Sequence, residues 1–255
     1  MARTRRHTRR RHRRGLGILY RLLSVVVISA AIVAALILFF KVETISVSGT
    51  SRYSSEEIIA AAGVEKGDNL FLLNKYEISD AIIEQLPYVS SVNISRKLPD
   101  TLCIDVTDSN QGGVLYCEGA YWVISSDGKV LGKRSEAGSG ALIRGIELQT
   151  PEVGQKIVPA EGSERRVEQL LELLAALEEK GMLPGVSGID FSQDGVISMD
   201  YAQRFAVKFA YGADFSYKLA QLNKVIEQLE AQGDMRDGTI DMTNETDGRI
   251  NFIPD

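Results

Sequence analysis

The sequence predicts an α+β protein with one N-terminal transmembrane helix, a small β-α-α-β-β domain, and a second α+β domain with a mostly antiparallel sheet. Three observations predict this class. An uncharged run extends from Leu22 to Phe40, a strand, two short helices and two strands follow it, and period-two strands alternate with two long amphipathic helices beyond Gly113.

The run from Leu22 to Phe40 contains no charge, Pro or Gly. As a helix it would be roughly 28 Å long, close to the hydrocarbon thickness of a bilayer. A cleaved signal peptide would have a shorter apolar region that ends at small residues, whereas this run continues past its alanines through Leu38 and Phe39. The sequence therefore favours a retained anchor at residues 22–40.

Charge is distributed unevenly about this anchor. Residues 1–21 form a basic tail whose first 14 residues hold eight arginines and no acid, although the whole chain has a net charge of −5. The positive-inside rule places the tail in the cytoplasm and the acidic remainder outside the membrane. Beside a span, such a tail is more typical of topology and lipid attraction than of nucleic-acid binding, so no nucleic acid is expected as a partner.

Residues 41–110 are predicted to form the first domain, which begins with a strand and a short helix. Alternating side chains from Val42 to Ser48 indicate the strand. Ser54 and Glu57 have the spacing of a capping box at a helix start, and Gly63 is typical of the left-handed residue that ends a helix.

A second helix and two strands complete this domain. Asn74 is predicted to cap the helix, and Pro87 ends it. Val92 and Ile94 alternate with polar residues in the first strand, and the apolar residues of the second strand are Leu102, Ile104 and Val106. Helices on one face of a small sheet are expected.

Three stretches of this domain, VETISVSG, GDNLFLLN and LPYVSSVNISRKLPDTLCIDV, resemble the POTRA domain of the FtsQ/DivIB family of bacterial cell division proteins. A basic tail followed by one span is also similar to that family's layout. The most specific points of the resemblance are Asn69-Leu70-Phe71, Leu86-Pro87-Tyr88-Val89, Arg96, Pro99 and Leu102.

Residues 111–255 are predicted to form the second domain, which begins with short strands and turns. Glu118-Gly119 separates two strands, and Asp127-Gly128 is a hairpin signal. Short strands are expected within residues 143–148 and 154–157. The run Tyr121–Ile124 followed by Asp127-Gly128 resembles the start of the same family's β domain.

Two amphipathic helices and the final strands follow. Ser163 is predicted to cap a helix over Glu164–Lys180, and Asp214 to cap a last helix. The final strands are expected over Thr239–Thr243 and Arg249–Ile253, with Asp247-Gly248 between them.

No catalytic constellation, metal site or cofactor is predicted. The two histidines, His7 and His12, lie in the basic tail, and the chain has neither a Gly-rich phosphate loop nor a nucleophile elbow. Acidic groups such as Glu178-Glu179 fit solvated helix ends, and the spacing of Asp234, Asp237 and Asp241 does not match a calcium loop.

The two cysteines, Cys103 and Cys117, are too few for a disulfide scaffold and match no zinc spacing. Cys103 is out of phase with the apolar residues of its strand, so free thiols are favoured. A disulfide formed outside the cell is the alternative.

Without a reactive constellation, binding is the favoured function. The last predicted strand, residues 248–253, has no Pro before Pro254. An uncovered edge strand accepts another chain by β-augmentation, in which backbone hydrogen bonds supply affinity. The alternative is a paired internal strand whose residues only form core.

The family resemblance implies which residues bind. In FtsQ/DivIB proteins the last strand and the helix near the C-terminus receive the outer segments of small coiled-coil division proteins, here FtsB/DivIC-like and FtsL-like partners. By position, the implied binding residues are Gly248, Arg249, Ile250, Asn251, Phe252 and Ile253 in the strand, and Asp214, Tyr217, Lys218 and Gln221 in the helix.

The resemblance thus implies a membrane-anchored divisome scaffold at the division septum, not an enzyme, that helps assemble or activate septal peptidoglycan synthesis. No small-molecule substrate is expected. Two alternatives remain at this point: a wall hydrolase with an unrecognised carboxylate site, and an anchored sensor that binds a small ligand between its domains.

Overall fold

A computed structural model describes residues 14–49, 52–243 and 251–254, and it confirms the predicted α+β class. The first part of the chain contains a long helix and a three-stranded sheet with two helices. These elements are α1 (Arg14–Phe39), β1 (Thr44–Ser48), α2 (Ser55–Ala62), α3 (Lys75–Gln85), β2 (Val89–Lys97) and β3 (Thr101–Asp108).

Helix α1 has the length and apolarity of a membrane span over Leu19–Phe39. Its side chains in this window are exposed within the protein, as expected for a helix surrounded by lipid. It fits the predicted single-pass anchor.

The elements from β1 to β3, the three-stranded unit, have the predicted β-α-α-β-β order. The sheet order is β1-β3-β2, with β1 parallel and β2 antiparallel to β3. Helices α2 and α3 pack on one face over a buried apolar core. Strand β1 begins at Thr44, later than predicted, because the Val42 N–H donates to the Asp68 carbonyl instead of to a strand.

The predicted capping box at the start of α2 is confirmed. The Glu57 N–H donates to the Ser54 hydroxyl over 3.3 Å, and the Ser54 N–H donates to the Glu57 carboxylate over 2.7 Å. These bonds to Ser54 lower the pKa of Glu57. Gly63 ends the helix in the left-handed region, at φ 61°.

Replacing Ser54 with Ala is expected to weaken α2 by about 1 kcal/mol, because the Glu57 N–H in the first turn loses the Ser54 hydroxyl as its acceptor. Hydrogen exchange of the α2 amides should become faster, while α3 should be unaffected. The exposed neighbour Ser55 is the control, and an equal effect of Ser55→Ala would contradict a specific cap.

The second part of the chain forms a nine-stranded sheet with two helices, the nine-stranded unit. Its elements are β4 (Gln111–Cys117), β5 (Ala120–Ser125), β6 (Val130–Arg134), β7 (Leu142–Arg144), α4 (Glu164–Glu179), β8 (Val186–Asp190), β9 (Val196–Tyr201), β10 (Phe205–Ala210), α5 (Phe215–Ala231), β11 (Gly238–Asp241) and β12 (Asn251–Pro254).

The sheet order is β12-β11-β10-β9-β8-β7-β4-β5-β6. Five of the eight pairings are antiparallel, and the parallel ones are β10–β11, β8–β7 and β7–β4. The prediction of a mostly antiparallel sheet is therefore confirmed. Strand β12 lies at one margin of the sheet and β6 at the other.

Three local predictions in this unit were wrong. The Ser163 side chain does not cap α4, because its hydroxyl accepts the Glu147 N–H instead. Strand β7 ends at Arg144, since Gly145 turns the chain at φ 75°. Residues 154–157 form an isolated bridge and loop bonds to the start of β6 rather than a strand.

Both cysteines are free thiols and partly exposed. The Cys117 thiol donates a weak hydrogen bond to the Leu148 carbonyl at 3.9 Å, and burial raises its pKa. The higher pKa favours the protonated, less nucleophilic form of this thiol.

Candidate functional site

Strand β12 and its support come from a parallel crossover. Strand β10 is followed by α5, which runs back across one face of the sheet, and β11 then pairs with β10 in parallel. Strand β12 adds to β11 in antiparallel orientation. Strand β12 and helix α5, the two elements that the sequence predicted to bind a partner, are therefore connected through β11 in one substructure.

Charged side chains hold the loop that immediately precedes β11. The Arg204 guanidinium donates to the carbonyls of Asp234 and Arg236, both at 3.1 Å. The Arg236 side chain and N–H donate to the Asp234 carboxylate and lower the pKa of Asp234 to about 2. The carboxylate is thus charged at any physiological pH, and the loop keeps these contacts.

Backbone hydrogen bonds show which residues of β11 face its inner neighbour. The Gly238 N–H donates to the Arg204 carbonyl, and the Met242 N–H donates to the Lys208 carbonyl. The N–H and C=O of one strand residue point to the same side, and consecutive residues alternate. The intervening odd-numbered residues of β11 therefore direct their backbone groups towards β12.

The register then identifies the open groups of β12. Thr239 lies opposite Ile253, and Asp241 lies opposite Asn251. Because Thr239 and Asp241 face β12, Ile253 and Asn251 use their backbone groups on β11. Phe252 lies between them, so its N–H and C=O point away from the sheet and are available to an incoming strand.

The side chains of β12 have two environments. The Phe252 ring is partly buried against the core that also contains Leu219 and Leu222 of α5, and its centroid lies 6.2 Å from that of Phe205. Ile253 is 56% exposed. A partner strand would meet the backbone of Phe252 at the margin and the Ile253 side chain on the outer face.

Gly238 is required for the close approach of β12. A Cβ at this position would lie 2.5 Å from the Ile253 carbonyl oxygen and 2.9 Å from the Pro254 Cα. Both obstacles are backbone, which cannot rotate away as a side chain can. Any larger residue at position 238 would therefore displace β12.

The predicted helix residues lie in the first two turns of α5. The Asp214 carboxylate caps the helix by accepting the Tyr217 N–H, which confirms the predicted cap. Tyr217 is 58% exposed, and its hydroxyl accepts a bond from the Gln221 amide at 2.8 Å. Together with half-buried Lys218, these residues form one polar stripe with i, i+3, i+4 and i+7 spacing.

The opposite margin of the sheet is partly covered by its own chain. The Val130 N–H donates to the Gln155 carbonyl, and the Gly154 N–H donates to the Val130 carbonyl. These bonds occupy the start of β6. Within residues 14–49, 52–243 and 251–254, no strand pairs with the outer side of β12.

The structure describes only some of the predicted binding residues. Gly248, Arg249 and Ile250 lie outside the described residues, whereas Asn251, Phe252 and Ile253 form β12. Sequence reasoning missed Gly238 and Phe205, which support β12 from the neighbouring strands. The turn-like sequence Asp237-Gly238 gave no signal of a close approach between strands.

Comparisons with known proteins cover both units. A family model described as POTRA domain, FtsQ-type matches residues 40–108, and one described as Cell division protein FtsQ/DivIB, C-terminal matches residues 115–243. The cell division protein FtsQ of Geotalea daltonii is 31% identical over 199 residues, which cover 76% of this chain and 70% of that protein.

Cell division protein DivIB of Clostridium acetobutylicum is 28% identical over 196 residues, covering 74% of this chain and 75% of that protein. A solved structure of the major extracytoplasmic domain of DivIB from Geobacillus stearothermophilus matches 49% of this chain and 97% of that domain. Its sequence identity is 13% and its TM-score 0.31.

Proposed function

Because the chain belongs to the FtsQ/DivIB family of bacterial cell division proteins, we propose that it is a membrane-anchored scaffold of the division machinery that binds partners outside the cytoplasmic membrane. The observation that carries this proposal is the open margin at β12, where the backbone of Phe252 points away from the sheet. The proposed role needs no catalytic group.

The proposed organisation assigns residues 1–21 to a cytoplasmic tail, 22–40 to the span, 41–110 to the POTRA domain and 111–255 to the partner-binding domain. Two large separate cores support this division. One contains buried residues from Val42 to Val106, and the other contains buried residues from Leu115 to Met242 with Phe252 packed against it. A small third cluster of Val114, Val123 and Leu131 has Tyr88 of the first unit packed against it.

The proposed partner segment is a strand from a small coiled-coil division protein of the FtsB/DivIC or FtsL type, placed antiparallel or parallel to β12. The polar stripe on α5, from Asp214 to Gln221, would contact the part of the partner that continues beyond this strand. Holding such segments near the septum would help to assemble or activate septal peptidoglycan synthesis.

Photo-crosslinking in dividing cells tests this role. A photoreactive side chain at Ile253, 56% exposed on β12, is expected to crosslink to a small membrane protein of the division machinery. The control position is Tyr116 on β4, which is 58% exposed and lies away from the open margin. Equal crosslinking from both positions would contradict a specific site.

Gly238→Ala is expected to remove the Ile253 crosslink, because the new Cβ collides with the backbone of β12. Gly132→Ala, in the opposite edge strand β6, is the matched control, since a Cβ there meets only the Tyr88 hydroxyl at 3.5 Å. Loss of the crosslink in both variants would indicate general misfolding rather than displacement of β12.

A further inference from the structure

The loop that carries the Asn69-Leu70-Phe71 motif is bonded to the outer end of α1. The Asn69 side-chain amide donates to the carbonyls of Leu36 and Ile37 at 3.1 and 3.0 Å. The Leu70 N–H donates to the Phe40 carbonyl at 2.9 Å. The Leu36 carbonyl also accepts the Phe40 N–H at 3.3 Å. Carbonyls in the last turn of a helix generally lack a full set of partners within the helix, so Asn69 acts as a C-terminal cap for the span.

This loop runs back towards the membrane helix. Lys41 and Asn69 form an antiparallel bridge, so the residues after Asn69 continue alongside the residues before Lys41. The Phe71 ring accordingly packs edge-on against the Phe40 ring, with centroids 5.0 Å apart. Phe71 and Leu72 therefore lie at the level where α1 leaves the bilayer.

The exposed large apolar side chains of the three-stranded unit are concentrated at this end. Leu72 is 74% exposed, Phe71 47% and Leu98 55%. Tyr76, 81% exposed, lies in the first turn of α3, directly after the loop. Among the described residues of 41–110, these four are the large apolar side chains that are exposed.

The turn between β2 and β3 lies at the same end as the loop. The Asp100 carbonyl accepts the N–H groups of Glu43 and Thr44, the residues that follow the span. Arg96 donates to the Leu73 carbonyl at 2.8 Å and lies over the Phe71 ring at 5.9 Å. Leu98, in this turn, therefore lies at the same end of the three-stranded unit as Phe71 and Leu72, although it is distant from them in sequence.

We propose that Phe71, Leu72, Tyr76 and Leu98 form a membrane-contact surface that enters the interfacial region of the bilayer spanned by α1. The surface is continuous with the span through Phe40 and Asn69. Because of this continuity, we expect lipid to cover it. Asn69 fixes the three-stranded unit on the bilayer instead of leaving it on a free hinge.

Apolar area, rather than charge, supplies the affinity of this surface. Its surroundings carry both signs: exposed Lys41 and Glu43 follow the span, exposed Lys97 precedes Leu98, and half-buried Asp68 precedes Asn69. Contact is therefore expected with zwitterionic lipid and should persist at high salt. The inference rests on the membrane anchorage of α1, but not on the partner-binding role of β12.

The test uses the full chain reconstituted in phosphatidylcholine vesicles that contain a lipid with a spin label near the top of its acyl chain. Leu72→Trp and Leu98→Trp are expected to show several-fold stronger quenching than the native Trp122, which is 6% exposed in β5. Their emission should also shift to the blue, because the new indoles leave water.

Met235→Trp is the matched control, since Met235 is 74% exposed, as is Leu72. It precedes β11, at the opposite end of the sheet from β5 and β6. Equal quenching of Met235→Trp, or no quenching of Leu72→Trp in vesicle-bound protein, would overturn the inference. Protein that is not retained in the vesicles would instead refute the anchor itself.

A second variant tests the role of Asn69. In the native protein the Asn69 side-chain oxygen accepts the Phe71 N–H at 2.9 Å. Asn69→Asp keeps an acceptor for this N–H, but it removes the side-chain amide that donates to the Leu36 and Ile37 carbonyls at the end of α1. In the Leu72→Trp background it is expected to lower the quenching severalfold while the protein stays membrane-bound. Unchanged quenching would show that Asn69 does not hold the surface on the bilayer.

Discussion

Replacing Phe252 with Pro is expected to weaken capture of the partner strand strongly. The Phe252 N–H is the outward donor of β12 in the described part of the chain, and Pro has no N–H. The proline ring would also occupy the space in which the new strand must lie. We expect binding to weaken by roughly a hundredfold, which corresponds to about 2.7 kcal/mol, in a pulldown or titration with the partner segment.

Phe252→Ala separates the backbone effect from the side-chain effect. It removes the same ring from the core beside Phe205 but keeps the outward N–H. It is therefore expected to lower the stability of β12 and to weaken binding less than Phe252→Pro does. Equal binding by the two variants would show that the margin does not bind through its backbone.

The environment of the Phe252 side chain decides which substitutions are informative. Period-two alternation identified the last strand, but it did not show that Phe252 points into the core and Ile253 to solvent. An Asp at position 252 would introduce a charge beside Phe205 and disturb the fold as well as the margin. Proline paired with alanine avoids this ambiguity.

Local signals predicted most of the three-stranded unit. The capping box at Ser54, the cap at Asn74 and the left-handed Gly63 depend on a few neighbouring residues, and all three are confirmed. Ser163 was wrongly predicted as a cap because its hydroxyl accepts the N–H of Glu147, which is distant in sequence. The sequence of the helix does not show that such a competing donor is present.

Features that depend on distant backbone could not be predicted from the sequence. The open side of β12 follows from the parallel pairing of β10 with β11, which in turn depends on the path of α5. The requirement for Gly238 follows from the position of Ile253 and Pro254. The cap that Asn69 places on α1 joins groups more than thirty residues apart.

Lys129 also forms bonds with residues that are distant in sequence, and these bonds connect the two units. It lies just before β6 and is 8% exposed, and its ammonium donates to the carbonyls of Ile83 and Val89 at 2.9 and 3.2 Å. Burial lowers the pKa of Lys129, against the opposing effect of Asp127. The buried charge is retained because the two carbonyls of the three-stranded unit replace part of its hydration.

The lowered pKa of Lys129 determines the direction in which stability changes with pH. The folded protein releases the Lys129 proton at a lower pH than the unfolded chain, whose lysines titrate near 10.4. Stability is therefore expected to rise as pH increases towards the unfolded value, because the unfolded chain then binds more protons. A variant without this amine should lack that rise.

Lys129→Met is expected to loosen the contact between the two units by about 1–3 kcal/mol, because the carbonyls of Ile83 and Val89 lose a charged donor. Hydrogen exchange around β2 should rise about tenfold or more, and the rise of stability with pH should disappear. Lys133→Met, which removes an exposed charge from the same hairpin, is the control. If both variants behaved alike, the bonds from Lys129 to Ile83 and Val89 would not be what holds the two units together.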